Sequence, residues 1–415
     1  MKKNIIIIIL LALSLNIWAE FEFFPNPARL ATDQKTELRV PILNMGLNIK
    51  NSLLNMNTLD ILDTSKYEDG GLMSEADKKK LTADDLTFSA NFETEFIGIH
   101  YKNWDFSSRL ISFADINILD KQFAEIIFYG NEIDQVYNTN AADNSVAYGF
   151  LRNSFQYGYP RELHLGMIHS TVDEYLAKST WGKFIDAMPI YVGFQINFDY
   201  SIAMLEVLES EQEFGAMSDY TYYDYYLKAK YTDGDSKRKL DINYGLGAEV
   251  NILENLDLHF SLNDIFAKLE YENLAGRFYD GTFIDSLDYL NEEYEAFDQS
   301  TQSDSVRYSS HELDIKTSVV LGLDYSPINR LQLQVKYDGR RYSLGSGFSI
   351  AARYKVAEFF PIKLVIGSHD EAFFTEIQTG LNFARFDFDI AFSNNSGLFK
   401  SAKGIGLRTG MKIRF

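Results

Sequence analysis

Six histidines, at positions 100, 164, 169, 259, 311 and 369, are the side chains whose chemistry best suits proton transfer or metal ligation near neutral pH. None forms a pair at the helical spacing of a metal site. His164 and His169 lie an odd number of residues apart, so a regular strand points them to opposite faces. His369, Asp370 and Glu371 form the one concentrated acid and base cluster, in a stretch that reads as a solvated exterior loop. A hydrolase would need a base held beside a nucleophile, and no such pairing stands out. The chain has no cysteine, which removes thiolate catalysis, Cys-ligated metal and any disulfide framework. Gly245 and Gly247, like Gly345 and Gly347, sit inside or beside strands and do not form a phosphate-cradling loop between strand and helix. The expectation is a protein without catalytic residues, metal or cofactor.

The remaining charges follow a different logic. Asp241, Glu249, Asp314, Lys316, Asp324, Arg353, Lys355, Arg385, Asp387, Asp389, Arg408 and Lys412 alternate with large apolar residues and carry both signs. Strand periodicity puts them on one face, where they can pair with one another. The last stretch shows the pattern most clearly. Ile405, Leu407, Thr409, Met411, Ile413 and Phe415 share one parity, and Gly406, Arg408, Gly410, Lys412 and Arg414 share the other. A strand with lipid on one side and a polar lumen on the other reads this way, and about 9 to 11 tilted residues cross a bilayer.

The same alternation recurs from Leu86 to the end. Phe88, Ala90, Phe92, Thr94 and Phe96 share a face before a phase slip at Ile97 to Ile99; a second strand from Trp104 to Asp115 slips at Leu110 and Ile111. Ile190, Val192, Phe194, Ile196, Phe198, Tyr200, Ile202 and Met204 alternate with Gly193, Gln195, Asn197, Asp199 and Ser201. Helices are expected over Thr171 to Met188 and Ile284 to Phe297, and a short one near Lys78 to Leu81. The final hundred residues read as a meander in which short connections such as Ala384-Arg385 alternate with longer ones such as Asp338 to Gly347 and Ser368 to Thr375. That asymmetry is an outer-membrane habit, and it places Phe415 at the periplasmic end. The strand count comes to about fifteen; an even number is required, so either the slipping pair between Leu86 and Asp115 is misread or Lys268 to Phe283 hides one more, and fourteen is the expectation, with sixteen the alternative.

Composition agrees with this reading. Tyr (26) and Phe (32) are abundant although mean hydropathy is negative, as averaging lipid-facing with lumen-facing residues produces. A net charge of -20 argues against nucleic acid as a partner. Met1 to Ala19 pairs Lys2 and Lys3 with the apolar run Ile5 to Leu13, which predicts a cleaved export signal. From Glu20 to Asp85 no sustained alternation is evident, and this segment reads either as a periplasmic extension or as a plug within a lumen.

At Asn26, Pro27 and Ala28, followed by Arg29-Leu30-Ala31 and later by Val40-Pro41-Ile42-Leu43 and Met45-Gly46-Leu47, the chain resembles the FadL-like outer-membrane transporters of long-chain fatty acids and other hydrophobic compounds. It resembles in particular their poorly characterised spirochaete and Bacteroidetes branch. The resemblance implies an all-β transmembrane barrel (residues 86–415) with an N-terminal hatch (20–85) that begins at Asn26, Pro27 and Ala28. It also implies that the barrel assembly machinery reads the terminal Phe415. The expected partners are outer-membrane lipid, that machinery and a hydrophobic small molecule. The expected function is passive uptake of such molecules. A FadL-shaped structural or secretion-associated protein, or a general porin, is the alternative.

Overall fold

The computed structural model describes residues 26–32, 36–53, 55–61, 73–130, 134–140, 142–143, 145–164, 188–217, 220–286, 296–302, 306–339, 346–369, 372–383, 385–397 and 401–415. The export signal and nearly all of the helix expected over Thr171 to Met188 lie outside them.

Alternating apolar and polar residues can satisfy their backbone only in a ladder, and a ladder in lipid has no edge only if it closes. This one closes, with fourteen antiparallel strands. They are β1 (Thr36–Arg39 and Met45–Asn51), β2 (Leu86–Tyr101), β3 (Trp104–Leu119), β4 (Gln135–Thr139 and Val146–Gly158) and β5 (Ile190–Ala216). Then come β6 (Tyr220–Tyr231, Lys237–Arg238 and Leu240–Leu253), β7 (Leu256–Ile265 and Lys268–Ser286) and β8 (Ala296–Gln302, Val306–Asp314 and Ser318–Ile328). The meander follows as β9 (Leu331–Gly339), β10 (Ser346–Ala357), β11 (Phe360–His369), β12 (Ala372–Asn382), β13 (Phe386–Asn395) and β14 (Gly404–Arg414). β1 completes the circle: Leu47 lies opposite Leu407 of β14 and Phe92 of β2, and Glu37 opposite Arg414 and His100. This is the architecture of a bacterial outer-membrane barrel.

Closure by β1 corrects the expected division at residue 85. Part of the segment assigned to a hatch is wall. Its two short runs, parted by Pro41 and a positive φ at Ile42, are each too brief to show alternation alone. The ends of the helix expected over Ile284 to Phe297 are a second correction: Ile284 and Phe297 are ladder partners in β7 and β8, while 287–295 lie outside the described residues. The stretch from Lys268 to Phe283 is strand throughout, but it prolongs β7 and adds no strand to the count. Glu75–Leu81 is helical as expected, capped by Ser74, and Lys121–Tyr129 forms a further helix. Strands continue to His369 and resume at Ala372, so the loop expected over Ser368 to Thr375 is mostly ladder.

Tight turns at 102–103, 254–255, 329–330 and 358–359 cluster at the end that also holds Thr36 and Phe415, where the Phe415 N–H donates to the Thr36 carbonyl (3.0 Å). The opposite end carries the long connections 52–85 and 120–134, while 159–189 joins β4 to β5 at the tight-turn end.

Candidate functional site

The wall has two storeys. Toward the tight-turn end, the inward parity is polar and the outward parity is apolar, with Phe155, Phe194, Leu246 and Leu321 all exposed on the outside. Arg39 donates to Glu95 (3.0 Å) and to both oxygens of Asp105 (2.6 and 2.8 Å), while Arg109 reaches Glu93 (3.3 Å) and Glu95 (3.4 Å). Arg152 lies between Asp199 (2.7 and 2.6 Å) and Asp264 (2.7 Å). From Asp199 the network runs on through Asn243 (2.7 Å) to Asn197 (2.7 Å), which accepts from Ser154 and Gln195 (each 2.6 Å). Charges withdrawn from water require such partners. This half of the interior is therefore filled by paired side chains.

Beyond Arg109 and Arg152 the same inward face becomes apolar. Ile111 on β3, Tyr148 and Phe150 on β4, Met204 on β5, Ala267, Leu269, Tyr271 and Leu274 on β7, and Ile315 form one buried cluster, with Phe113, Tyr308 and Leu313 packed against it. The Tyr271 hydroxyl is satisfied by the Ala203 carbonyl (3.2 Å). On β6 to β8 the outward face changes in the opposite sense. Lys239 pairs with Glu270 (3.1 Å) and Glu272 (2.7 Å), and Lys268 with Glu312 (3.0 Å) and Glu270. These strands thus rise out of the lipid, and above it they carry charge outside and apolar side chains inside.

That inversion explains two differences from the sequence reading. β3 does not slip at Leu110 and Ile111: its register with β4 is continuous from Trp104 to Asp115. What changes there is the chemistry of the inward face, from Arg109 to Ile111. Met204, by contrast, was expected outward with Ile202 but is buried inward, because a register shift opposite Gly149 and Phe150 bulges β5 at Ile202. The bulge expected near Ile97 is present, between Glu95 and Ile97.

Asn26, Pro27 and Ala28 lie at the tight-turn end, against the inward face of the wall. They open a 3-10 turn, Pro27–Ala31, in which Asn26 Oδ1 caps the Ala28 N–H (3.0 Å) and Pro27 occupies the first position, where no donor is needed. Asn26 Nδ2 donates to the Ala248 carbonyl of β6 (3.0 Å). Asn103, in the β2–β3 turn, donates to the carbonyls of Leu30 (2.9 Å) and Ala31 (3.3 Å). Arg29 extends to Asp324 (2.7 Å), Glu249 (3.5 Å) and His259 (3.2 Å). Beneath the turn, Gly158, Gly193 and Gly247 are direct cross-strand neighbours on β4, β5 and β6. A Cβ on any of them would overlap the turn itself: Leu30 and Ala31 at Gly158, Pro27 and Ala28 at Gly193, and Asn26 at Gly247.

Among the described residues the histidines are not gathered, and His169 lies outside them. His100 contacts the Lys102 carbonyl (2.6 Å), His259 lies beside Arg29, and His311 beside Lys230 (2.9 Å). Among the described residues no three His, Asp or Glu side chains converge as metal ligands. At the far end, a cavity of about 580 Å³ is lined by Asn138, Glu211, Glu213, Asp224, Tyr225 and Tyr226, among others. The excursion between the first two pieces of β6 is fastened by Arg307, whose hydrogen bond holds Asp233 down to a pKa of about 2.

No family model matches the sequence, and no curated protein does. Among solved structures, the chain is similar to the toluene transporter TbuX of Ralstonia pickettii (10% identity, 94% of this chain and 92% of that one, TM-score 0.46). It is also similar to the toluene transporter TodX of Pseudomonas putida (10%, 94% and 93%, TM-score 0.45) and to a Pseudomonas aeruginosa FadL homologue (11%, 94% and 93%, TM-score 0.41).

Proposed function

We propose that the barrel passes apolar small molecules across the outer membrane. The observation that supports this is the apolar cluster on the inward face above the lipid, where an aqueous pore would place polar side chains. An apolar solute leaving water gains roughly 25 cal/mol for each Å² it buries. The cluster offers that gain on the inward face, and further toward the far end lies a cavity lined by carboxylates and tyrosines. Its members pack on one another, so a solute enters by displacing side chains, and the flexible Met204 is the natural one to yield. Below it, the paired charges of the polar storey and the turn Asn26–Ala31 obstruct ion flow at rest, which separates this reading from a general porin. Long-chain fatty acids belong to the candidate solutes together with smaller hydrocarbons.

The test is uptake of a hydrophobic fluorophore into vesicles carrying the full-length protein. Tyr271→Asp, which puts a charge in the middle of the cluster, should slow uptake at least tenfold, whereas Glu312→Gln on the outer charged face should leave it unchanged. Equal rates for wild type, both variants and protein-free vesicles would refute passage.

A further inference from the structure

The three glycines beneath the turn stand far apart in sequence and in different strands, yet they are ladder partners and all three carry the same segment. Chance placement of glycine does not produce a bare row directly under one backbone. Glycine in a strand weakens it, and its usual structural reason is close approach of another chain segment. Beside the row stand larger polar inward residues, Gln156 next to Gly158, Gln195 next to Gly193 and Glu249 next to Gly247, while Gly245 flanks Gly247 on its other side. Only at this level are β4, β5 and β6 all bare of side chains on their inward face.

We infer that Gly158, Gly193 and Gly247 form a seat matched to Asn26–Ala31, and that Arg29 fastens the turn onto it. The inference rests on the reading that this turn obstructs the barrel at rest. Ala28 completes the fit: it has no exposed surface, so no larger side chain has room there. Two kinds of contact then hold the turn. The seat supplies shape, with Asn26 reaching Ala248 and Asn103 reaching Leu30 and Ala31. Arg29 supplies charge, spanning β6 and β8 through Glu249 and Asp324. The turn can leave as a unit without breaking the ladder, since none of its backbone groups pairs in a strand. Gly158, Gly193 and Gly247 are thus positioning residues for closure.

Single-channel recording of the full-length protein in planar bilayers tests this. Wild type should be silent. Gly193→Ala and Gly247→Ala should raise the open fraction roughly 5- to 150-fold, the range that overpacking strain produces in a two-state equilibrium. Gly149→Ala, on the same strand as Gly158 but facing Ser112, should remain silent. Ala28→Leu creates the clash from the side of the turn and alters no strand, so it decides the matter even if a glycine variant fails to form a heat-modifiable barrel. Combining Ala28→Leu with Arg29→Ala should open the barrel further. A wild type that conducts at rest would overturn the obstruction on which the inference depends. A silent wild type together with a folded, silent Ala28→Leu barrel would overturn the seat and leave the obstruction standing.

Discussion

Asn197 shows how far a residue's surroundings can depart from its parity. Alternation places it on the polar side, where substitution in an open lumen would be cheap. It is instead wholly buried, accepting from Ser154 and Gln195 and donating to Asn243. Asn197→Arg should therefore destabilise the barrel as much as Leu321→Arg does, but for a different reason. Leu321 is 45% exposed to lipid, and a charge there costs about 2 to 4 kcal/mol near mid-membrane. At Asn197 the cost is an unpartnered charge inside a satisfied network. Arg152 provides the complementary case. Arg152→Met strands two buried carboxylates, Asp199 and Asp264, and should cost about 3 to 5 kcal/mol. Adding Asp199→Asn and Asp264→Asn should recover much of that loss. Urea titration of the barrel in lipid vesicles measures all of these; a neutral Arg152→Met would show that the pairs contribute nothing to stability.

At the scale of elements, the sequence was most legible where strands face lipid on one side over their whole length, as β9 to β14 do. It was least legible where one of three things intervened. β1 is broken into pieces too short for a period to register, β5 shifts phase at a bulge, and β3 changes inward chemistry without changing phase. The site was legible only in part. Asn26, Pro27 and Ala28 are notable from their order and their place in the chain, but the glycines below them become a row only once β4, β5 and β6 are in register. Elements also carry their own tests. The excursion of β6 at Asp233 is pinned to β8 through Arg307, and Asp233 has its pKa depressed to about 2 from the ordinary ~3.9. A depressed carboxylate stabilises above its unfolded pKa and loses that contribution as pH falls through the folded one. Protection factors of the amides across 232–239, corrected for the intrinsic pH dependence of exchange, should thus fall between about pH 4 and pH 2, and Arg307→Gln should flatten that response. At the other end, Phe415 is largely exposed while its backbone closes onto β1. Deleting it should lower the heat-modifiable protein recovered in outer membranes; unchanged recovery would show that assembly does not read it.

Considered whole, the molecule sets an acidic far end beyond the apolar cluster on its inward face. The chain carries a net charge of -20, and Glu211, Glu213 and Asp224 line the cavity at the far end. Such a field acts on ions and leaves an uncharged apolar solute almost untouched, because its transfer depends on buried area and not on potential. Uptake of a neutral hydrophobic probe should therefore hardly change between low and high salt. Any ion current through an opened barrel, Ala28→Leu for instance, should behave differently. Acidic linings favour cations, and salt screens them over about 10 Å at 0.1 M. Reversal potentials measured across a KCl gradient should show cation selectivity at low salt that weakens as salt rises. Replacing Glu211, Glu213 and Asp224 together by Gln, Gln and Asn should move the reversal potential toward zero without altering probe uptake. If that triple variant slowed uptake of a neutral probe as strongly as Tyr271→Asp, the carboxylates would be holding the solute themselves, and the division of labour between an acidic mouth and an apolar passage would have to be abandoned.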